Sequence, residues 1–325
     1  MPTPRPFIEP LAHGVYVIDT GFVRPRFDAS HLIVENGRAA FVDTGTNHAV
    51  PRLLDVLGAL GLAREAVDYV IATHVHLDHA GGAGALLQHL PNAKLVVHPA
   101  GTRHLVDPSR LMASARSVYG DAEVARSYGE LVAVPAERAI QTDDGLVLHL
   151  AGRALQFIHT PGHARHHHCI WDERSSGMFT GDTFGVAYPE FTSAGRPWLI
   201  PATPPTQFDP EALRASVRRL LGFDPRRVYL THYGEVTDVS ALGASFLARL
   251  EQIVQLGAML RTHPQRPEAL RHGLGELYRS WLRDHRCPMQ EAQALALLTV
   301  DIELNAQGMD HWLARLGTLD LAAPG

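Results

Sequence analysis

The sequence YVIATHVHLDHAGG, residues 69–82, joins an apolar run to a set of polar side chains that can bind metal ions. Residues 67–73 are rich in valine and isoleucine, which predicts a strand covered on both faces. Residues two apart in an extended chain point the same way, so His74 and His76 can converge on one point. Asp78 and His79 follow where the chain turns, and they can face a second point nearby. Because imidazole and carboxylate suit zinc, iron or manganese, the loop predicts a metal site; the alternative is a solvated loop in a chain with 20 histidines.

The composition limits the class of protein to which this loop can belong. The chain has 325 residues, of which 46% are hydrophobic and 19% are charged, so it can bury a large core as one domain or two. A net charge of -5 gives no basic footprint for nucleic acid. Two cysteines cannot form a disulfide framework, which favours a reducing compartment. Neither a signal-like N-terminus nor an apolar run of membrane length is found, so we expect a cytoplasmic protein without a membrane partner.

The alternation of strand-like and helix-like segments predicts an α/β fold whose character changes near residue 238. The Asn36-Gly37 pair, which lies between two apolar runs, predicts a β-hairpin. From Val239 onward the sequence reads as one helix after another. We therefore predict a main domain over residues 1–238 and a helical C-terminal extension, residues 239–325, that packs on it.

Further metal-capable side chains follow other strand-like runs. His163 lies in the turn after FIHT, Asp182 follows MFTG, and His232 follows VYLT. Each of these polar residues comes directly after an apolar run, as His74 does. Because several predicted strands each end in such a residue, we expect these side chains to lie together at one edge of a sheet and to bind metal ions there.

These residues form motifs that resemble those of the metallo-β-lactamase superfamily. The motif H-x-H-x-D-H spans residues 74–79, T-P-G-H spans 160–163, and G-D stands at 181–182, ahead of the late His232. The resemblance covers roughly residues 10–235 and fills every ligand position of the family. It implies a four-layer αβ/βα sandwich with two metal ions at one edge between the sheets.

The resemblance also implies which side chain holds which ion. His74, His76 and His163 would hold one ion; Asp78, His79 and His232 would hold the second; and Asp182 would bridge both. It implies catalytic roles for Asp78 and Asp182. Two divalent ions are expected as cofactors, with zinc first and iron or manganese as alternatives.

Two features narrow the branch of the family. A carboxylate at Asp182 resembles the bridging ligand of the glyoxalase II, lactonase and ribonuclease Z branches, which argues against antibiotic hydrolysis. His76 stands where the flavodiiron branch has an acidic ligand, which disfavours that role. The helical C-terminal region is similar to that of glyoxalase II, but the basic cluster that binds glutathione there is not found. Gly185 and Val186 stand where homoserine-lactone lactonases have a tyrosine.

The resemblance predicts a dinuclear hydrolase that cleaves an ester, thioester or lactone. Metal binding lowers the pKa of water from about 15.7 to about 7, so a hydroxide shared by the ions would be the nucleophile. No G-x-S-x-G nucleophile elbow is present to supply a serine instead. The rivals are a phosphodiesterase with the same two ions, an iron enzyme similar to persulfide dioxygenases, and a site whose ions are only structural. The expected partner is a small acyl substrate, with no nucleic acid.

Other residues have both a functional and a structural interpretation. Asp43 in FVDTG would orient a ligating histidine or cap the following turn. His167 matches a histidine often found after the T-P-G-H motif, and an outer-shell role is implied for it; we attribute its neighbours His166 and His168 to the histidine-rich composition.

The segment after Asp182 is aromatic. Tyr188, Phe191 and Trp198 would line the substrate pocket as part of a lid, or they would pack in the core. The leucine-rich faces of the C-terminal helices predict core packing or a contact in a homodimer. The sequence leaves open the substrate, the native metal, the oligomeric state and the role of these helices.

Overall fold

The computed structural model describes residues 6–322, which divide into two compact units. The first unit comprises residues 6–159, 166–181 and 224–239, and the second comprises 160–165, 182–223 and 240–322. The domain boundary after residue 238, and the packing of the extension on the main domain, stay predictions.

The strands of the described residues form three sheets. In chain order they are β1 (Ile8–Pro10), β2 (Val15–Asp19), β3 (Ala29–Glu35), β4 (Arg38–Val42), β5 (Val67–Ala72), β6 (Lys94–Val97), β7 (Ala139–Gln141), β8 (Val147–Leu150), β9 (Arg153–His159), β10 (His168–Asp172), β11 (Gly177–Gly181), β12 (Val186–Ala187), β13 (Leu199–Ile200), β14 (Arg227–Leu230) and β15 (Gly234–Val236). The first sheet runs β1 to β7 in order, and the second runs β15-β14-β11-β10-β9-β8. Strands β4 to β7 are parallel, so the ends of β4, β5 and β6 meet at one edge. The β12–β13 pair belongs to the second unit.

The core of the first unit lies in two layers, one on each face of the first sheet. Between the two sheets, Ile33 and Ile71 of the first sheet pack in one cluster with Phe157 and Phe179 of the second. The predicted hairpin at Asn36-Gly37 forms between β3 and β4, where Glu35 pairs with Arg38. Both turn residues have positive φ, 47° and 75°, which asparagine and glycine tolerate better than other residues.

Helices cover the other face of the first sheet. They are α1 (Val50–Ala59), α2 (Leu77–Ala80), α3 (Ala83–Gln88) and α4 (Pro99–Val106). Two more helices, α5 (Ser109–Tyr119) and α6 (Asp121–Ser127), pack in a smaller cluster with Leu77 of α2. Leu53 of α1 and Leu86 of α3 are fully buried in one cluster with Phe41 and Val70 of the sheet. Burying such side chains stabilises the fold by about 1.5–3 kcal/mol each. This packing fixes the edge of β5, the strand that leads to His74.

The second unit is largely helical. Its helices are α7 (Pro210–Leu221), α8 (Val239–Leu260), α9 (Arg266–Asp284), α10 (Glu291–Leu297) and α11 (Thr299–Ala322). The run of helices predicted from Val239 onward is therefore present. Asn305 of α11 ties this unit together, since it accepts from the Thr203 amide at 2.7 Å and donates to the Tyr278 hydroxyl at 2.5 Å. Within residues 6–322, no helix has the length and apolar character needed to cross a membrane.

Candidate metal centre

The loop after β5 carries four of the predicted ligands. Strand β5 ends at Ala72, and the short helix α2 begins at Leu77, with His76 at its N-cap in extended conformation. His74 lies in the bend that follows the strand, whereas Asp78 and His79 lie in the first turn of the helix. His74 and His76 thus precede the helix, and Asp78 and His79 lie within it.

Within the first unit, Asp78, His79 and His232 form a group that we call the carboxylate triad. Their candidate ligand atoms all lie within 4.8 Å of one another. Oδ2 of Asp78 is 3.5 Å from Nε2 of His232 and 3.9 Å from Nε2 of His79. His79 is fully buried and His232 is 4% exposed, so the two rings are held away from bulk water.

The far side of each triad histidine is anchored. Nδ1 of His79 lies 2.8 Å from Oδ2 of Asp43, and Nδ1 of His232 lies 2.8 Å from the carbonyl oxygen of Phe27. Both partners are acceptors, so each neutral ring carries its proton on Nδ1 and presents the lone pair of Nε2. This is the arrangement by which proteins orient metal-binding imidazoles.

Asp43 is itself held in place by three donors. It accepts from the amide of Thr73 at 2.8 Å, from the hydroxyl of Thr73 at 2.9 Å and from the hydroxyl of Thr231 at 2.7 Å. Thr73 and Thr231 each precede a predicted ligand, His74 and His232. One buried carboxylate thus connects the ends of β4, β5 and β14.

His74 and His76 also lie side by side in the first unit. Nε2 of His74 is 2.7 Å from Nδ1 of His76, and the hydroxyl of Thr73 is 3.2 Å from Nδ1 of His74. The ring of His167 stacks on that of His74 with centroids 4.9 Å apart and planes inclined by 26°. His167 is fully buried, and its ring restricts the rotation of His74.

The remaining two predicted ligands belong to the second unit and lie close to each other. Nε2 of His163 is 3.3 Å from Oδ2 of Asp182. Nδ1 of His163 lies 3.3 Å from the carbonyl oxygen of Ala202, so this ring is oriented in the same way as the triad histidines. Both side chains are more than nine-tenths buried.

The chemistry of these donors fits a divalent metal ion. Imidazole nitrogens with their protons directed away, beside carboxylate oxygens, form the donor set of zinc, iron and manganese sites. A closed structural zinc site is typically built from cysteine, and Cys169 is buried in β10, where its thiol lies 3.5 Å from the carbonyl of Thr180. The donor set therefore favours a reactive centre over a structural one.

Asp28 is a residue that the sequence reasoning missed. Asp28 directly precedes β3 and is fully buried. The hydroxyl of Thr20 donates to its carboxylate at 2.5 Å. Burial raises the pKa of Asp28 to about 7, and the neighbouring His232 and His79 oppose that shift. The sequence shows only that Asp28 lies next to an apolar run, and many residues without a functional role lie in such positions.

His166 and His168 occupy defined positions in the first unit. His166 accepts from the amide of Val75 at 3.4 Å, and the hydroxyl of Thr142 is 2.9 Å from Nδ1 of His168. Burial lowers the pKa of each to about 3, which keeps both rings neutral. Their burial could not be foreseen from a histidine-rich tract.

The aromatic residues predicted for the substrate pocket lie in the second unit. Tyr188, Phe191 and Trp198 are each at most 1% exposed. Tyr188 and Phe191 stack with centroids 4.9 Å apart, and Trp198 meets the edge of Tyr278. Within this unit their observed role is core packing; contact with a substrate stays a prediction.

Comparison with known proteins places this centre in a family. The model of the family described as "Metallo-beta-lactamase superfamily" matches residues 23–232. These residues include every predicted ligand, and the match spans more than half of the chain. The protein therefore belongs to the metallo-β-lactamase superfamily, and it is a metal-dependent hydrolase of that family.

Three relatives illustrate the range of the family. A metallo-beta-lactamase fold-containing protein of Sulfurisphaera tokodaii is 30% identical over 69% of this chain and 80% of its own length. A hydroxyacylglutathione hydrolase of Aeromonas hydrophila is 29% identical over 64% of this chain and 63% of its own. An acyl-coenzyme A thioesterase of Gallus gallus is 30% identical over 54% of this chain and 64% of its own.

Solved structures agree on the fold. A superfamily protein from Sulfolobus tokodaii superposes with a TM-score of 0.63 at 23% identity, covering 92% of this chain and 99% of that one. A family protein from Thermus thermophilus superposes with a TM-score of 0.64 at 21% identity, covering 94% of each chain. The predicted α/β class, the metallo-β-lactamase fold and the C-terminal helices are confirmed.

Proposed function

We propose that this protein is a dinuclear metallohydrolase that cleaves a small ester, thioester or lactone. The observation that carries the proposal is the carboxylate triad, in which two anchored imidazoles present Nε2 beside Asp78. The hydrolase and thioesterase names of two relatives support an acyl substrate. Zinc is the first choice of metal for this donor set, with iron and manganese as alternatives.

The assignment of ligands to ions follows the order of the family motifs. His74, His76 and His163 would hold one ion; Asp78, His79 and His232 would hold the second; and Asp182 would supply a carboxylate to the pair. The pairs His74–His76 and His163–Asp182, each in close contact within its own unit, support this assignment.

The side chains around these ligands have defined tasks in the proposal. When bound, the ions would supply Lewis-acid activation of water and of the acyl oxygen. Asp43 and the Phe27 carbonyl keep His79 and His232 in the tautomer that presents Nε2, while His167 fixes the plane of His74. The burial of these rings excludes bulk water from the ligand side chains.

Substrate preference on one metal-defined preparation tests the proposal. Aryl esters, thioesters and lactones are compared with bis-(p-nitrophenyl) phosphate and short RNA, and oxygen uptake with a persulfide substrate tests the dioxygenase rival. We expect acyl turnover to exceed phosphodiester turnover at least about tenfold, which is about 1.4 kcal/mol of transition-state preference. If phosphodiester turnover exceeds acyl turnover instead, the protein is a phosphodiesterase and the proposal is wrong.

His76→Ala controls for contaminating hydrolases, because it removes a proposed ligand while the buried core stays intact. Acyl turnover should disappear in that variant. Metal analysis of the protein as purified tests the number and identity of the ions. The cytoplasmic location and a homodimer stay predictions that this assay does not address.

A further inference from the structure

Three aromatic rings of the first unit lie in a row that ends at the proposed metal ligand His232. The ring centre of Phe27 is 5.1 Å from that of His232. The Phe22 ring lies 6.4 Å from the Phe27 ring and 5.5 Å from the Tyr128 ring. We call Phe22, Phe27 and Tyr128 the aromatic strip. Each of its side chains is partly exposed, so the strip presents apolar surface beside a residue of the carboxylate triad.

The other end of the strip packs against the helix that carries Asp78. Tyr128 contacts a cluster of buried side chains that includes Leu77 of α2. Leu77 directly precedes Asp78, the carboxylate of the triad. The strip therefore reaches the triad twice, through Phe27 at His232 and through this cluster at the neighbour of Asp78. A molecule that reacts at the triad thus lies next to these rings.

Two rings of the strip are held by the loop that joins β2 to β3. The hydroxyl of Thr20 accepts from the amide of Phe22 at 3.3 Å, and the amide of Thr20 donates to the carbonyl of Asp28 at 3.0 Å. The carbonyl of Phe27 is held 2.8 Å from Nδ1 of His232. Both rings are therefore carried by a backbone that is fixed before any ligand binds, which lowers the ordering cost of binding.

The third ring comes from a distant part of the chain. Tyr128 directly follows α6, and its carbonyl accepts from the amide of Asn47 at 3.1 Å. The side-chain amide of Asn47 in turn donates to the carbonyl of Glu130. These hydrogen bonds fix the backbone on either side of the Tyr128 ring, so the strip is assembled from two separately anchored segments.

The strip differs from the core aromatic residues of the same unit. Phe41, Phe157 and Phe179 are fully buried, whereas the rings of the strip keep contact with water although their backbone is fixed. Removing apolar surface from water is favourable, so these rings offer free energy to an apolar group that covers them. Ligand sites are lined mainly by apolar and aromatic side chains of this kind.

We propose that the aromatic strip binds the acyl chain of the substrate. The inference rests on the proposed function, because it assumes that an acyl group is cleaved at the neighbouring triad. The substrate class is then an ester or thioester of an apolar acyl group several carbons long. A short or polar acyl group would leave the rings uncovered.

The first experiment varies only the acyl chain. The p-nitrophenyl esters of acetate, butanoate, hexanoate and octanoate share one leaving group. In the wild type, kcat/KM should rise about threefold with each added methylene, because each one covers more of the strip. The double variant F22A/Y128A should lose at least about tenfold more kcat/KM with the octanoate than with the acetate. An equal loss with all four esters would overturn the inference.

The matched control is Y69L, which removes a partly exposed ring elsewhere in the same unit. Tyr69 lies near the start of β5, and its hydroxyl donates to the carbonyl of His149 at 3.3 Å. The variant should keep the wild-type dependence on chain length. If Y69L flattens that dependence as much as F22A/Y128A does, the effect does not come from the strip and the inference fails.

A binding measurement separates this inference from the proposed function. Calorimetry uses 2-butanone and 2-octanone, ketones that have no leaving group and are not hydrolysed. For 2-octanone, Kd should be about tenfold weaker in F22A/Y128A than in the wild type, with a smaller change for 2-butanone. If no ester is cleaved but this difference is found, the proposed function fails and the apolar site stands. Ester cleavage with equal Kd values in both proteins would overturn the apolar site alone.

Two further readouts remain if F22A/Y128A does not fold. The variant F22L/Y128F keeps the apolar size of both side chains and should retain most of the dependence on chain length. Loss of that dependence in F22L/Y128F would contradict binding by apolar contact. The wild type also tests the inference directly, because a kcat/KM that does not rise from the acetate to the octanoate would contradict it.

Discussion

The first unit holds two groups of histidines that differ in what lies beside each ring. In the carboxylate triad, His79 and His232 each donate from Nδ1 to an oxygen and direct Nε2 toward Asp78. The second group, which we call the histidine row, consists of His98, His159 and His168. Its His98 ring lies 4.1 Å from that of His159 and 6.4 Å from that of His168.

In the histidine row, the ring nitrogens contact backbone groups and one hydroxyl. Nδ1 of His98 accepts from the amide of Ala100, Nε2 of His159 donates to the carbonyl of Thr142, and Nδ1 of His168 meets the hydroxyl of Thr142. In His98 the lone pair of Nδ1 is thus already used, and a neutral ring then carries its proton on Nε2. A density of histidines therefore does not by itself make a metal centre; a carboxylate partner and the correct tautomer are needed.

The largest difference between the two groups should be seen in metal retention. His79→Ala removes a proposed ligand, whereas His168→Phe removes a buried ring of the row. We expect His79→Ala to lose about one metal ion per chain and more than about a hundredfold in turnover, beyond the usual effect of an outer partner. Plasma mass spectrometry after dialysis measures the metal content. Equal metal loss in His168→Phe would show that the row also binds metal.

Asp182→Asn tests the role of the carboxylate in the second unit. An amide cannot supply negative charge between two cations, so we expect weaker metal retention and a kcat lowered about a hundredfold, with a small change in melting temperature. The measurements are metal content, steady-state kinetics and a thermal melt on one preparation. Near-normal turnover with both metals retained would remove Asp182 from the bridging position.

Asp43→Asn tests the anchor that distinguishes the triad from the row. Loss of the negative partner of His79 should weaken metal binding about 10- to 100-fold, as for other outer partners of ligating histidines. Nitrogen NMR of the imidazoles should show His79 losing its preference for the proton on Nδ1. If the variant loses folding stability while the tautomer of His79 is unchanged, Asp43 acts only through its hydrogen bonds with Thr73 and Thr231.

The sequence predicts the places of the ligands better than it predicts their partners. His74 and His232 could be placed because each follows an apolar strand, and strand ends at one sheet edge meet in space. The partners of Nδ1 come from distant parts of the chain: Asp43 lies 36 residues before His79, and Phe27 lies 205 residues before His232. Neither partner belongs to the motif of its histidine. The sequence suggests that Asp43 orients a ligating histidine but does not say which one, and it gives no sign of the Phe27 carbonyl.

Burial is the other property that the sequence leaves open. Asp28 and Trp198 are both at most 1% exposed, yet neither lies in a pattern that distinguishes a core position from a pocket wall. The α/β class, by contrast, follows from local alternation and was predicted in full. Long-range packing decides which polar side chains become buried, and with it their pKa values.

The last comparison concerns acid stability in metal-free protein, where a histidine of the row and the Asp28 carboxyl group beside the triad should have opposite effects. Burial lowers the pKa of His168 to about 3 and raises that of Asp28 to about 7. Neutral His168 stabilises the fold above its unfolded pKa, and this stability is lost as the pH falls from about 6.5 toward 3. Protonated Asp28 has the opposite sign, because its stability is lost as the pH rises from about 4 through 7.

Between about pH 4 and 6, each group should thus change the free energy of unfolding by about 1.4 kcal/mol per pH unit, in opposite directions. His168→Phe should flatten the decline of stability with falling pH, and Asp28→Asn should steepen it. Urea unfolding with a chelator at several pH values measures both slopes. The loss of the Thr142 contact in His168→Phe shifts stability by a constant amount and leaves the slope to report titration. Parallel pH profiles for the wild type and both variants would contradict the assigned ionisation states.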